Sequence, residues 1–265
     1  MKYLLNELPE IVKKVSKSNQ LLLMLDFDGT LSPIAPSPPQ AYIKKSIKAV
    51  LKNLAKQKNT HIAIISGRSL TDVKKKVGIQ GLIYAGNHGL EWEIKGKRFF
   101  TPVPKAYTKI NLMLRSRLSF LCKQYKGTFL ENKGISLAVH YRLLNSKFRK
   151  DFTNKAALIL EPYIGSRAIR MATGKKVIDI IPEILWDKGR LALYVVASLK
   201  KGNPNPSVIY IGDDVTDEGA FKALRKNITI RVGYKQNSAA RYFVKNTNQA
   251  GAFLARMAQE AQKEL

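Results

Sequence analysis

The chain holds 265 residues, of which 46 are Lys or Arg and 19 are Asp or Glu, giving a formal net charge of +27. With 45% hydrophobic and 25% charged residues it has the usage of a folded chain, and its 17 Gly and 11 Pro follow no period, which excludes a disordered or collagen-like chain. The single cysteine, Cys122, excludes an intramolecular disulfide and any Cys-rich zinc site and reads as a small buried hydrophobe.

The first stretch, MKYLLNELPEIVKKVSK, spaces its apolar residues and carries Glu7 and Glu10, the pattern of an amphipathic helix and not of a signal peptide. No apolar run approaches the ~18 residues of a membrane span, so a cytoplasmic protein is expected. Leu21–Leu25, Ile62–Ile65, Leu82–Ala85 and Val208–Ile211 are short apolar runs almost without polar alternation, as in strands buried on both faces of a parallel sheet. A loop over Pro33–Pro39 follows the first of them. Helical patterns lie between the runs: Ile43–Lys58, with Ile47, Val50, Leu51 and Leu54 on one stripe, then Leu70–Val77 and Gly189–Lys200. Gly251–Leu265 reads as a closing helix. Strand–helix alternation of this kind predicts an α/β fold with a doubly wound parallel sheet.

The middle of the chain changes character. Ile110–Tyr125 reads as helix, Ile135–His140 as strand, Lys147–Leu160 as helix and Ala168–Asp179 as strand. An inserted α+β cap domain is therefore expected over 105–179, within a core formed by 1–104 and 180–265. The proline-marked linkers at Pro102–Pro104 and Ile180–Pro182 are expected to act as hinges. The insert carries 16 basic and four acidic residues, and so holds +12 of the net charge in under a third of the chain.

Asp26-Phe27-Asp28-Gly29-Thr30 directly follows the run Leu21–Leu25, which places two carboxylates at the carboxyl end of a buried strand, where open α/β sheets bind ligands. Strand periodicity puts Asp26 and Asp28 on one face, and two acids so close call for a cation or a shared proton. A second set, Gly212-Asp213-Asp214-Val215-Thr216-Asp217, follows Val208–Ile211. All-oxygen ligation suits a hard ion, and beside a phosphate it suits Mg²⁺; Asp217 is equally well explained as a helix cap. Ser66-Gly67-Arg68 ends another run and offers a hydroxyl and unobstructed N–H groups, although a Ser cap accounts for it too. Lys188 begins a helix and, beside two acidic clusters, can offset charge on a phosphoryl group.

In their order, Asp-x-Asp-Gly-Thr, Ser, Lys and Gly-Asp-Asp-x-x-x-Asp resemble the haloacid dehalogenase-like phosphatases. Leu25–Ile34, Ala63–Arg68, Tyr84–Gly89, Glu131–Lys133, Ala138–Arg142, Trp186–Gly189 and Gly212–Glu218 further resemble, collinearly, the trehalose-6-phosphate phosphatase family. The resemblance implies Mg²⁺-dependent hydrolysis of trehalose 6-phosphate through an aspartyl-phosphate. Asp26 would be the nucleophile and Asp28 the acid and base, with Ser66 and Lys188 on the phosphoryl oxygens. Metal ligation would fall to Asp26, Asp28 through its carbonyl, Asp213 and Asp214. It also implies substrate binding by Gly67, Arg68, Asn87, His88 and Gly89, and by Glu131, Lys133, His140, Arg142, Lys175 and Asp179 in the cap. Taken singly, Glu131 and Arg142 read equally as surface ion-pair residues, His140 as a strand histidine and His88 as a loop histidine. One departure stands out: Asp179 occupies a position where the family often carries Glu, one methylene longer.

The expected partner is a small sugar phosphate, with a functional link to a trehalose-6-phosphate synthase and no nucleic-acid or membrane partner. Two rivals are a phosphatase for another sugar phosphate, such as sucrose phosphate, and a basic binding module. The second leaves both acidic clusters without a purpose, since acids oppose phosphate binding unless a metal intervenes.

Overall fold

A computed structural model describes residues 1–174, 176–199 and 206–262. In chain order the strands are β1 (Lys2–Tyr3), β2 (Leu21–Leu25), β3 (Thr60–Ile65), β4 (Ile83–Gly86), β5 (Glu91–Ile94), β6 (Lys97–Phe100), β7 (Phe129–Asn132), β8 (Leu137–His140), β9 (Ile169–Gly174), β10 (Val177–Pro182), β11 (Ser207–Gly212), β12 (Ile228–Val232) and β13 (Tyr242–Val244). The helices are α1 (Leu8–Ser16), α2 (Lys45–Ala55), α3 (Leu70–Val77), α4 (Lys105–Lys123), α5 (Ser146–Gly165), α6 (Lys188–Leu199), α7 (Glu218–Ala223) and α8 (Thr247–Gln262).

Two compact units emerge, one formed by Met1–Phe100 with Trp186–Leu265 and the other by Thr101–Leu185. The first is built on a nine-stranded sheet in the order β1-β13-β12-β11-β2-β3-β4-β5-β6. It is parallel from β1 through β4 and turns antiparallel at β5 and β6. The apolar runs are the central strands, and their two-sided burial is explicit in β2. Leu21, Leu23 and Leu25 join a core with Leu51, Leu54 and Phe253, whereas Leu22 and Met24 join another with Leu191, Val195 and Phe221. Each is a position where truncation to alanine costs about 2–5 kcal/mol. Helices thus cover both faces, the doubly wound arrangement expected.

The second unit is a four-stranded sheet, β7-β8-β10-β9, with every neighbouring pair antiparallel. One face packs Leu137, Val139, Ile178 and Ile180 against Leu114, Leu118, Phe152 and Leu160 of α4 and α5, with Cys122 buried in the same core. Where two strands were expected here there are four. The alternation over Ala168–Asp179 is a hairpin, turning beside Lys176 at a φ of 66°, and a period of two runs through such a turn uninterrupted. β7 is the other addition. The β5–β6 hairpin, β12 and β13 were also not anticipated. Among the described residues, no helix is long and apolar enough to cross a membrane.

Candidate active site

The adjacent parallel strands β11, β2, β3 and β4 end at Gly212, Leu25, Ile65 and Gly86, so Asp213, Asp26, Ser66 and Asn87 leave one edge of the sheet together. The turn after β2 is closed by Phe27, whose carbonyl accepts from the N–H groups of Leu31 at 3.0 Å and Ser32 at 2.8 Å, while its ring is wholly buried. Gly29 sits in this turn at a φ of +83°, and a Cβ there would lie 2.1 Å from Asp213 Oδ2. Glycine therefore lets the carboxylate after β11 press against the backbone after β2.

Among the described residues, one group of carboxylates lies within a single ion's reach: oxygens of Asp26, Asp213 and Asp217 fall within 4.8 Å of one another, and all three residues are buried. Lys188, 2% exposed, donates to Asp26 Oδ1 at 2.7 Å and to Asp217 Oδ1 at 2.8 Å. Burial alone would lower the lysine, but the charges of Asp217 and Asp26 outweigh it and lift the ammonium above the usual lysine range. Burial drives Asp26 well above the usual carboxylate range; Lys188 opposes this, and the charges of Asp217 and Asp213 add to it. Burial acts on Asp217 in the same sense, but Lys188, the Asp214 N–H and the Tyr210 hydroxyl override it and hold that acid low. Three buried acids against one ammonium leave negative charge in excess, and an oxygen-liganded divalent cation fits that deficit.

The oxygens of Asp217 are committed to the protein. Oδ1 accepts from Lys188 and, at 2.7 Å, from the Tyr210 hydroxyl; Oδ2 accepts from the N–H groups of Asp213 and Asp214, each at 3.0 Å. Asp217 is thus both a cap and the anchor of Lys188. Asp214 closes the reciprocal capping box with Asp217 and accepts from Val215 N–H at 2.8 Å, and its carboxylate is not one of the triad. The residues able to hold a cation through side chains are Asp26 and Asp213. Arg231, in β12, grips this loop from behind: it donates to the carbonyls of Asp213 and Asp214 and to Glu218 Oε1 at 3.0 Å.

Strand β2 ends at Leu25, so the period of two does not extend across the turn. Asp28 instead receives Arg68, whose Nε lies 2.6 Å from Oδ2 and whose Nη2 lies 2.7 Å from Oδ1. Ser66 is buried, and its hydroxyl accepts from Arg68 N–H at 3.2 Å. The loop after β3 is bound to the turn after β4: Asn87 N–H donates to the Arg68 carbonyl at 2.7 Å, and His88 N–H to the Ser66 carbonyl at 3.0 Å. The His88 ring lies over Gly67, where a Cβ would stand 2.6 Å from Cε1. The Gly89 carbonyl accepts from Trp186 Nε1 at 2.7 Å.

The second unit carries its own polar set. Register places Glu131, Ala138 and Asp179 in one row across β7, β8 and β10, and Phe129, His140 and Val177 in a parallel row two residues along each strand, on the same face. Glu131 Oε2 lies 2.8 Å from His140 Nε2, and Lys133 donates to Asp179 Oδ1 at 2.7 Å with both side chains buried. These residues share the face opposite the apolar one, since successive strand residues alternate. Arg142 lies two residues beyond β8, and Lys175 lies outside the described residues.

Tyr210, Arg231, Glu218 and Asp72 were not singled out from sequence. A signal existed for two of them: a phenol inside Ile209-Tyr210-Ile211 and a guanidinium inside Ile230-Arg231-Val232 are polar groups in buried strands, and such groups need partners.

The profile of the trehalose-phosphatase family matches residues 24–253. The chain is 32% identical over 275 residues to trehalose-phosphate phosphatase B of Arabidopsis thaliana, covering 98% of this chain and 71% of that one. It is 31% identical over 268 residues to a trehalose-phosphate phosphatase of Mycobacterium marinum, covering 97% and 67%. Among solved structures, the C-terminal domain of the C. albicans trehalose-6-phosphate phosphatase superposes with a TM-score of 0.83 at 20% identity, covering 95% of this chain and 96% of that one. A sucrose-phosphatase from Synechocystis shares the fold more loosely, with a TM-score of 0.55 at 18% identity and coverage of 91% and 98%. Profile and relatives agree over the stretch that contains every carboxylate described above, so the chain belongs to the trehalose-phosphatase family, phosphoric monoester hydrolases with the haloacid dehalogenase-like fold.

Proposed function

We propose that this chain hydrolyses trehalose 6-phosphate to trehalose and phosphate in two steps through Asp26. The observation that carries this reading is the buried Asp26 carboxylate, tied at one oxygen to Lys188 and within one ion's reach of Asp213. In the first step an Asp26 oxygen bonds to phosphorus as the phosphorus–oxygen bond to the sugar breaks, and Asp28 delivers a proton to the departing oxygen. In the second step Asp28 takes a proton from water, whose oxygen attacks phosphorus and releases phosphate from Asp26. Carboxylates serve as nucleophiles in this way, and phosphoryl transfer depends chiefly on positioning and charge stabilisation.

Lys188 fixes one Asp26 oxygen and so orients the other. Of its three ammonium N–H groups, two go to Asp26 and Asp217, and the third is assigned to a phosphoryl oxygen together with the Ser66 hydroxyl. Mg²⁺, held by Asp26 and Asp213 with the Asp28 carbonyl, would supply positive charge to the phosphoryl oxygens. Sugar recognition is assigned to Glu131, Lys133, His140, Arg142 and Asp179, whose carboxylate, amine and guanidinium groups suit hydroxyls. A trehalose-6-phosphate synthase would supply the substrate.

The test is phosphate release from trehalose 6-phosphate, with sucrose 6-phosphate alongside, by wild type and Asp26→Asn, with Mg²⁺ and with chelator. Turnover should favour trehalose 6-phosphate, require the ion, and fall at least about a thousandfold in Asp26→Asn, because an amide is a poor nucleophile. Near-normal turnover in that variant would overturn the mechanism.

A further inference from the structure

We infer that Arg68 is a positioning residue for Asp28, its guanidinium fork setting where the proton meets the departing sugar oxygen. The inference rests on the proposed acid role of Asp28.

Three observations carry it. The pairing is bidentate, with Nε to Oδ2 at 2.6 Å and Nη2 to Oδ1 at 2.7 Å, a geometry that fixes the orientation of a carboxylate as well as its place. The fork is itself fixed: Nη1 donates to Asp72 Oδ2 at 2.6 Å and to the Pro38 carbonyl at 3.1 Å, and the guanidinium carbon lies 5.3 Å from the centre of the buried Phe27 ring. Asp28, by contrast, is 37% exposed at its side chain against 8% for Arg68, and it stands on a turn next to Gly29. Without the fork its carboxylate would be free to rotate about its side-chain bonds.

The donor inventory argues against a direct substrate contact as the main role. Four of the five guanidinium N–H groups are spent on Asp28, Asp72 and Pro38. The fork occupies one lone pair on each Asp28 oxygen and leaves the outward ones, on the exposed side, for the proton that passes to the sugar oxygen.

The test separates leaving groups. The sugar departs as an alkoxide and needs the proton, whereas 4-nitrophenolate leaves without one. Pre-steady-state release of trehalose and of 4-nitrophenol would be followed in wild type, Arg68→Met, Arg68→Lys, Asp28→Asn and the Arg68→Met/Asp28→Asn double variant. Arg68→Met should slow trehalose release about tenfold to a hundredfold, leave KM for trehalose 6-phosphate within about twofold, and slow 4-nitrophenol release less than about threefold. Arg68→Lys, with charge but no fork, should fall in between, and the double variant should release trehalose no more slowly than Asp28→Asn. Equal slowing of both leaving groups, or a raised KM with unchanged trehalose release, would overturn the inference while leaving Asp28 as the acid. Absence of leaving-group dependence in Asp28→Asn itself would remove the acid assignment, and this inference with it.

Discussion

Lys188 shows what a buried charge costs and what it holds together. Its ammonium is surrounded by protein and sustained only because Asp26 and Asp217 lie within 2.8 Å. Removing one partner of such a set leaves an uncompensated buried charge, which costs about 3–5 kcal/mol. Lys188→Met should therefore lose about 3 kcal/mol in urea denaturation with chelator present, and lose turnover as well. A variant as stable as wild type would show that the carboxylates relax or take up protons without cost. The same residues mark how far sequence reading reaches. Asp26 and Asp213 were legible because a carboxylate placed directly after a buried run is costly to desolvate and has little reason to stand there without a ligand. The double duty of Asp217 was not, since a helix cap and an ion-pair partner have the same sequence pattern and differ only in what folds against them. Nothing local in the sequence reveals that Asp28 and Asp72 converge on Arg68.

At the scale of elements, the four apolar runs gave the central strands because a strand covered on both faces has no polar positions to blur the pattern. In the hairpin β5–β6 the second strand runs Lys97-Arg98-Phe99-Phe100 without a period of two, and the Lys95-Gly96 turn, with φ values of 49° and 76°, lacks the Asn-Gly signature that makes such turns readable. How an element is tied to its neighbours also gives a pH dependence. The Tyr84 hydroxyl in β4 donates to the Ile79 carbonyl at 2.7 Å and accepts from Ile79 N–H at 3.3 Å, holding the end of the α3–β4 connection. Burial pushes its pKa from 10.0 up to about 12. The folded state thus favours the neutral phenol. That stability is fully present below about pH 10 and is lost as pH rises through about 12. Tyr84→Phe should cost about 1 kcal/mol near neutrality by losing both hydrogen bonds. It should also lose less stability than wild type between about pH 10 and 12 in urea titrations. Parallel loss in the two proteins would remove Tyr84 from the alkaline transition.

For the whole molecule the open question is whether a charge of +27 does anything for a reaction whose substrate is a dianion. The 19-residue helix α4 alone carries five bases and no acid, and the segment 105–179 holds +12. A field summed over such a surface reaches well beyond contact distance at low salt, where the Debye length is ~30 Å at 0.01 M, and collapses near physiological strength, where it is ~8 Å at 0.15 M. Steering acts on encounter and not on the chemical step, because Asp26, Asp213, Asp217 and Lys188, around which the proposed chemistry is built, are buried and poorly screened. Raising ionic strength from about 0.01 to 0.15 M with a salt that does not compete for the metal should lower kcat/KM for trehalose 6-phosphate several-fold and leave kcat nearly unchanged. Equal sensitivity of both constants would place the salt effect in the site itself, and a kcat/KM indifferent to salt would mean that the lysines serve the surface and not the substrate.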